Sequence, residues 1–383
     1  MISINRLYIL SALLFSMLLF GQCKTQTNNK MARYYLAKTK RDSIEFITTR
    51  VINWQLDSIK KNGWRHAEDD WTNGALYVGI IAYAKAMRYD PLYYTLKKQV
   101  DEKLGYKLNQ DSNRYFADFY CVGQLYAELY ARFKEPKMLE DLKVLGDTLL
   151  QRPHIESLLW VNKINRREWA WCDALFMGPP TLGLLSKVTN DPRYLDLSNQ
   201  LWWKTTDYLY DKKEHLFYRD SRFFERKEAN GEKVFWSRGN GWVLAGIARL
   251  METMPPNYPD RIRYEVLFKE MAKRIAALQQ SDGTWHTSLL DPDSFPSKEA
   301  SGTAFFCYGL TWGINNGLLP KNEYLPVVNK AWEALVKCVQ PNGMLGFVQP
   351  VGNQAKAAIK ASDTEVYGVG GFLLAGAELM KMN

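Results

Sequence analysis

The sequence predicts an all-α fold, an (α/α)6 toroid in which an inner and an outer ring of six helices alternate along the chain. Apolar residues recur at intervals of three and four nearly throughout, and long strand-like alternation is absent. A segment rich in glycine, alanine and aromatic residues follows a short polar loop six times. The segments between these repeats are amphipathic and charged, which is typical of helices on the outside of a bundle.

The six repeated segments are predicted to form the inner helices, because they are apolar nearly all round. Residues 74–84 and 241–250 show this pattern most clearly. Successive segments lie about 45 to 65 residues apart, which is enough for one inner and one outer helix with their loops. The six starts lie near Gly74, Asp118, Asp173, Gly239, Gly302 and Thr364.

The amphipathic segments that best fit the outer ring span residues 31–61, 193–210, 260–279 and 323–340. In a toroid of this kind the inner helices begin at one end of the ring, so the loops just before them converge on one cleft. The alternative is an irregular helical array in which these loops share no cleft. With 383 residues, 46% of them hydrophobic, the chain is long enough to bury a large core.

The N-terminal residues have the pattern of a bacterial export signal. Arg6 precedes an apolar run over residues 7–20, and residues 19–23 resemble a lipobox with Cys23 as the lipidated residue. Gln22 replaces the small residue usual at that position, so cleavage by an ordinary signal peptidase is the alternative. We therefore expect a signal peptide of lipoprotein type over residues 1–22, a tether over 23–30 and one catalytic domain over 31–383. The expected location is the periplasm or outer membrane of a Gram-negative bacterium, with the lipid anchor as the only membrane contact.

Charge and motifs argue against several classes of function. The net charge of +9 is scattered without a run of five basic residues, so no nucleic-acid partner is expected. A small acidic substrate, an anionic membrane surface or a solvated surface without a role all fit this charge. No metal or other cofactor is expected, because the four histidines form no paired ligand motif, and no nucleophile elbow occurs. The cysteines that lie in apolar helical patterns, where buried free thiols are favoured over disulfides, are Cys121, Cys172, Cys307 and Cys338.

Two acids precede consecutive inner helices, and we expect them to lie close together. Asp118 comes before the second inner helix and Asp173 before the third, next to Trp171 and other aromatic residues. Burial among aromatic rings and a like-charged neighbour both raise a carboxyl pKa, so one acid of the pair can hold a proton near neutral pH. Arg238 and Trp242 flank the start of the fourth inner helix and complete the predicted constellation.

Each of these residues also has a purely structural interpretation. The two acids can cap helices, Arg238 can form a structural ion pair and Trp242 can pack in the core. Lys163, upstream of Asp173, can be a solvated surface residue.

Three blocks of the sequence together resemble a known family of carbohydrate-active enzymes. They are Trp171-Cys172-Asp173 with Leu175-Phe176-Met177, Ser237-Arg238-Gly239-Asn240-Gly241-Trp242 and the run from Val366 to Phe372. They resemble the unsaturated rhamnogalacturonyl hydrolases of glycoside hydrolase family 105 and, less closely, the unsaturated glucuronyl hydrolases of family 88. The likeness covers roughly residues 34–382.

The resemblance implies an (α/α)6 barrel that removes a 4,5-unsaturated uronic acid from the non-reducing end of lyase-generated oligosaccharides. It implies that Asp173 is the general acid and base that hydrates the C4=C5 vinyl ether, and that Asp118 assists by gripping sugar hydroxyls and helping to hold Asp173 protonated. No cofactor is implied. The residues that it assigns to substrate binding are Lys163, Trp171, Arg238 and Trp242. We expect Met177 and Trp236 to contact the substrate as well.

One position departs from the family pattern, because Arg219 stands where many relatives carry a histidine. We therefore expect Arg219 and Arg222 to bind the acid group of the substrate or a sulfate. A conventional (α/α)6 glycosidase acting on saturated acidic glycans, a sugar epimerase and a non-catalytic glycan-binding lipoprotein are the alternative functions. Pectic rhamnogalacturonan, ulvan and arabinogalactan all stay open as sources of the substrate.

Overall fold

The computed structural model describes residues 40–108 and 115–382. The predicted signal peptide, the tether and Cys23 lie outside these residues. The chain divides into two compact units, Met1–Phe46 and Ile47–Asn383. Of the first unit only residues 40–46 are described, and they begin helix α1 (Lys40–Asn62). Across the two described ranges, no helix combines the length and the apolar character that a membrane span requires.

The second unit is built mainly from α-helices that alternate between an inner and an outer position. The inner positions are held by α2 (Trp71–Met87), α4 (Gly123–Phe133), α6 (Ala174–Met177) with α7 (Pro179–Thr189), α9 (Ser237–Met251), α11 (Ala300–Asn315) and α13 (Val366–Leu379). The outer positions are held by α1, α3 (Pro91–Gln99), α5 (Glu140–Gln151), α8 (Pro192–Leu209), α10 (Arg261–Ala277) and α12 (Lys321–Cys338).

Short elements connect these helices. A π-helical turn, Val100–Leu104, extends α3, and strand β1 (Tyr210–Asp211) pairs antiparallel with β2 (Leu216–Phe217) after α8. The 3-10 turns are Ala117–Tyr120, Pro136–Met138, Ile164–Arg166 and Ser221–Phe223.

The inner helices form a closed ring. Helix α2 packs on α4, α4 on α7, α6 and α7 on α9, α9 on α11, α11 on α13, and α13 returns to α2. The predicted all-α (α/α)6 toroid is therefore confirmed. At the closing contact, Gly79 of α2 lies against the carbonyl of Gly370 in α13, and a β-carbon at either glycine would overlap backbone atoms. Glycine is needed there because the two backbones approach closely.

Burial separates the two rings as the sequence pattern predicts. Every residue of α9 and of α13 is buried, whereas α10 and α12 each bury only part of their surface. A helix that is apolar all round belongs in a core, and an amphipathic helix covers it. The four cysteines beyond Cys23 are buried free thiols, as predicted.

The second inner element differs from its predicted form. Asp118 lies on the 3-10 turn Ala117–Tyr120, and the α-helix proper begins only at Gly123. Side chains three residues apart are eclipsed in a 3-10 turn, and Phe116 and Phe119 pack edge to face with ring centroids 5.2 Å apart. This aromatic contact spans the tighter turn ahead of α4.

Candidate active site

A pocket of about 350 Å³ lies where the inner helices begin. Loops that precede α2, α4, α6 and α9 converge on it, as the toroid predicts. Its walls include two acids, two arginines and three tryptophans, which is a typical mixture for a sugar site. The lining residues are Trp71, Asp118, Trp171, Asp173, Met177, Arg219, Trp236, Arg238, Val351, Gly352 and Asn353.

Asp173 is available for chemistry because it does not serve as a helix cap. It immediately precedes α6, yet its side chain makes no capping hydrogen bond. The residue is 9% exposed, and its Oδ2 lies 3.3 Å from Nε of Arg219. The neighbouring Cys172 thiol lies 3.7 Å from the same oxygen. The carboxyl is therefore buried, faces a cation and retains acceptor capacity for a ligand.

Asp118 is half-buried, and its carboxyl makes no hydrogen bond with the residues that the structure describes. Burial raises its pKa well above the usual range, and the charges of Asp173 and Asp70 raise it further, whereas Arg219 opposes the shift. Asp70 itself is a helix cap, because it accepts hydrogen bonds from the backbone N–H and hydroxyl of Thr72. Asp118 therefore favours its protonated form.

Burial also raises the pKa of Asp173, but Arg219 and Arg238 hold the increase back. The two acids interact electrostatically, so the second proton leaves the pair less readily than the first. Of the two, Asp173 ionises first, because a guanidinium lies beside it. Both carboxyls of the pair therefore have a raised pKa, and the rise is larger at Asp118.

Arg219 belongs to a network of charges at one side of the pocket. Its Nη1 donates to Oδ2 of Asp220 at 2.7 Å, and Asp220 is fully buried. Arg222 donates to both oxygens of Asp220 from Nε and Nη2, each at 2.8 Å. Both guanidinium groups lie over the ring of Trp160, with centroid distances of 5.0 Å for Arg219 and 4.2 Å for Arg222. These two cations lower the pKa of Asp220.

Arg238 has a different set of partners on the opposite loop. Its Nη1 donates to the carbonyl of Gln349 at 2.6 Å and to the hydroxyl of Tyr367 at 3.0 Å. Its Nη2 donates to the carbonyls of Pro350 and Gly352, both at 3.3 Å. Arg238 thus fixes the loop that contributes Val351, Gly352 and Asn353 to the pocket wall.

The aromatic residues divide into pocket walls and supporting core. Trp71, Trp171 and Trp236 line the pocket. Trp242 is 1% exposed and packs against Trp71, with ring centroids 6.0 Å apart, and against Phe305 at 4.1 Å. Trp242 therefore supports the Trp71 wall from behind.

The structure brings most of the predicted site residues together. Asp118, Asp173, Trp171, Met177, Arg219, Trp236 and Arg238 all line the pocket. Three others do not reach its lining: Lys163 is exposed with a left-handed backbone at φ 63°, Arg222 is exposed and pairs with Asp220, and Trp242 lies in the core.

Sequence reasoning did not predict residues 351–353 as part of the site, whereas Trp71, beside the acidic pair Asp69-Asp70, suggests a cleft wall from the sequence alone. Trp71 carries the same signal as the two acids, since it stands at the start of an inner helix. Residues 351–353 carry no such signal, because they lie well ahead of α13 in the sequence. Within the described ranges, no cluster of three or more histidine, cysteine, aspartate or glutamate side chains could hold a metal ion.

Comparison with known proteins places the chain in a family. The sequence model of Glycosyl Hydrolase Family 88 matches residues 38–383. The chain is 40% identical over 330 residues to an unsaturated 3S-rhamnoglycuronyl hydrolase of Formosa agariphila, which covers 82% of this chain and 85% of the relative. It is 36% identical over 364 residues to a protein of the same name from an Alteromonas species, which covers 89% of this chain and 87% of that relative.

Among solved structures, one described as a polysaccharide lyase superposes with a TM-score of 0.81 at 30% identity, and covers 90% of this chain and 98% of its own. The resemblance stated from the three sequence blocks is confirmed, since the family model and two relatives above 30% identity cover most of the chain. The chain is a glycoside hydrolase and belongs to Glycosyl Hydrolase Family 88.

Proposed function

We propose that this hydrolase removes a 4,5-unsaturated uronic acid from the non-reducing end of an oligosaccharide by hydrating its C4=C5 double bond. The observation that carries the proposal is the acid pair Asp118 and Asp173, both with raised pKa, in a pocket of about 350 Å³. A vinyl ether needs one proton donor, and a buried carboxyl supplies it near neutral pH. The names of the two relatives agree with this substrate.

In the proposed reaction, Asp173 donates its proton to C4 and leaves positive charge at C5 and the ring oxygen. Water then adds at C5, and the Asp173 carboxylate takes the proton that this water releases. The resulting hemiketal opens to a C5 ketone, and the hemiacetal left at C1 releases the aglycone. The net change is the addition of one water molecule, so a single acid is regenerated in each turnover.

Asp118 and the aromatic walls would hold the sugar. The carboxyl of Asp118 has no hydrogen-bond partner among the described residues, so both of its oxygens are available to the substrate hydroxyls. Trp71, Trp171 and Trp236 offer apolar faces for the ring. Arg219 would face the uronate carboxylate, where a charge-assisted hydrogen bond stabilises the complex.

We further propose that the aglycone is a sulfated rhamnose. Two relatives at 40% and 36% identity carry the name of an enzyme for 3S-rhamnoglycuronyl substrates. In this chain Arg222 has a side chain that is 35% exposed and lies over Trp160 beside Arg219. An exposed guanidinium on an aromatic ring is a suitable partner for a sulfate next to the uronic acid.

The alternative functions differ in features of the pocket or in their products. An epimerase would use histidines for proton transfer, and none of the described residues that line the pocket is a histidine. A conventional glycosidase would act on saturated glycans. A polysaccharide lyase, the description of one similar structure, would create a double bond rather than remove one.

One assay separates the hydrolase from a lyase by the direction in which the ultraviolet absorbance changes, and from the other functions by the products. Oligosaccharides generated by a polysaccharide lyase are incubated with the enzyme, and the ultraviolet absorbance of the conjugated double bond is followed. The proposal predicts a fall in absorbance that Asp173→Asn abolishes. A rise with intact polysaccharide would indicate a lyase, release of sugar from saturated glycans a conventional glycosidase, and binding without turnover a glycan-binding protein.

The aglycone is tested with a matched pair of unsaturated disaccharides that differ only in the sulfate on rhamnose. The proposal predicts a lower KM for the sulfated member, and a loss of most of that preference in Arg222→Gln. An equal KM for both members would reject the sulfate contact and leave the hydration reaction intact.

We also propose that the chain is exported and anchored through a lipid on Cys23. The apolar run over residues 7–20 and the lipobox-like residues before Cys23 support this. Labelled fatty acid should enter the expressed wild-type protein and be absent from Cys23→Ala. Label in neither protein would reject the anchor.

A further inference from the structure

Arg219 contacts two carboxylates, and only one of the two contacts is a hydrogen bond. Its Nη1 donates to the fully buried Asp220, which also accepts three hydrogen bonds from Arg222. Its Nε lies 3.3 Å from Asp173 but is a buried donor without a hydrogen-bond partner. The contact with Asp173 is therefore ionic and poorly directed, whereas the contact with Asp220 is a formed hydrogen bond.

The two arginines of the pocket differ in what they can offer a ligand. Both terminal nitrogens of Arg238 already donate to loop carbonyls and to Tyr367. The hydrogen bonds of Arg219 with described residues use Nη1 alone, so Nη2 is left for a ligand. An anionic ligand in this pocket therefore meets the Arg219 guanidinium.

Several charges face the acid pair from the surrounding elements. Arg219 and Asp220 come from the segment after β2, and Arg238 from α9. Asp70, from the start of α2, and Arg219 act on Asp118. The thiol of Cys172 also touches Asp173. Of the two positive groups, Arg219 is the one whose terminal nitrogen Nη2 makes no hydrogen bond with the described residues.

We propose that Arg219 is a positioning residue that keeps the shared proton on Asp118 in the free enzyme. When the substrate binds, its uronate carboxylate replaces Asp173 as the partner of Arg219, and Asp173 then receives the proton. The inference rests on the proposed function and extends it. According to this inference, substrate binding is the event that protonates Asp173.

The step conserves protons and charges. Before binding, Asp118 is protonated and Asp173 is paired with Arg219. On binding, the substrate carboxylate replaces Asp173 as the partner of Arg219, and the proton moves from Asp118 to Asp173. Asp118 is left as a carboxylate, which accepts hydrogen bonds from the sugar hydroxyls, and Asp173 is left as the acid that protonates C4.

The direction of the pKa shifts agrees with this order. Burial and the Asp173 charge raise the pKa of Asp118 well above the usual range, whereas Arg219 holds back the rise at Asp173. A substrate that neutralises Arg219 removes that restraint. An opposite charge at such a distance moves a carboxyl pKa by about one unit or more.

The test compares the pH dependence of kcat/KM, which reports the free enzyme, with that of kcat, which reports the complex. Wild type, Arg219→Gln and Arg219→Lys are assayed on an unsaturated disaccharide. In wild type, the alkaline limb of kcat should lie about one pH unit or more above that of kcat/KM. In Arg219→Gln the limb of kcat/KM should rise to meet it, and KM should increase about tenfold or more. Arg219→Lys, which keeps the charge, should restore much of the separation.

A second measurement reports the proton itself. In Asp118→Asn, Asp173 has no acid from which to take a proton, so binding of the disaccharide before turnover should draw nearly one proton per site from solution. Asp118→Asn with Arg219→Gln should draw far less, because its Asp173 is already protonated. The proposal would be overturned if the alkaline limbs of the kcat and kcat/KM profiles coincided in wild type, or if proton uptake did not depend on Arg219. If wild type does not consume the double bond at all, the proposed function fails instead.

Discussion

Arg219 and Arg238 line the same pocket, but they act on different partners. Arg238 is 1% exposed and donates to three backbone carbonyls and one tyrosine hydroxyl. Arg219 faces two carboxylates, Asp173 and Asp220. One guanidinium therefore holds a loop in place, and the other pairs with two carboxylates.

The partners of a buried arginine therefore decide its role. Neutral oxygen atoms occupy both terminal nitrogens of Arg238, so its hydrogen bonds fix the geometry of the loop. Carboxylates leave Arg219 in an ionic balance that a substrate carboxylate can shift. The family resemblance predicts substrate binding for Arg238, and the departure from the family pattern predicts it for Arg219; the contacts give the two arginines different partners.

The largest expected effect on stability follows from removing the loop-holding arginine. Arg238→Met removes the donor of the Pro350 and Gly352 carbonyls and one of the two donors of the buried Gln349 carbonyl, and should lower the free energy of unfolding by about 3 kcal/mol. Arg219→Gln is the matched variant and should lower it by about 1 kcal/mol, since solvent reaches the pocket. Urea unfolding measures both. Equal losses would show that the two arginines are not divided as described.

Asp220 tests the network that holds Arg219. Its folded pKa is lowered by Arg222 and Arg219, so it stabilises the fold above the ordinary pKa of aspartate, and this contribution is lost as the pH falls. Asp220→Asn should lower the free energy of unfolding by about 2 kcal/mol at neutral pH and less in acid. Urea midpoints across acidic and neutral pH check this. A loss that does not change with pH would contradict the ion-pair account.

The two tryptophans at the Trp71 wall should separate binding from stability. Trp71→Phe removes part of the pocket wall and should raise KM severalfold with a small change in stability. Trp242→Phe changes a buried ring and should lower the free energy of unfolding by about 1 to 2 kcal/mol, with KM nearly unchanged. Thermal unfolding and steady-state kinetics measure both. A larger rise in KM for Trp242→Phe than for Trp71→Phe would indicate that Trp242 contacts the substrate.

The contribution of Asp118 to the free energy of unfolding should change with pH in the direction opposite to that of Asp220. Its folded pKa is raised, so the fold loses stability as the pH rises from the ordinary range of aspartate toward that raised value. Asp118→Asn should therefore raise the free energy of unfolding at neutral pH by about 1 kcal/mol while it lowers activity. A pH series of urea midpoints checks the sign. A destabilised variant would mean that the carboxylate is paired in the fold.

Much of this architecture is predictable from the sequence because it depends on period and spacing. Six apolar segments predict the inner ring, and loops before them predict that Asp118 and Asp173 meet. Contacts that depend on side-chain direction are not predictable in this way. Trp242 has the same period as a pocket residue, yet it points into the core against Phe305. The wall formed by residues 351–353 depends on how Arg238 folds a long loop back, and no local pattern encodes that.

The reaction in heavy water tests whether Asp173 supplies the proton that adds to C4 of the double bond. Wild type should consume the double bond and leave one carbon-bound deuterium at C4 of the uronic acid product, detectable by NMR. Asp173→Asn should lower kcat by about a thousandfold while it still binds the oligosaccharide. Release of the aglycone with the double bond intact, or comparable turnover by Asp173→Asn, would contradict the account.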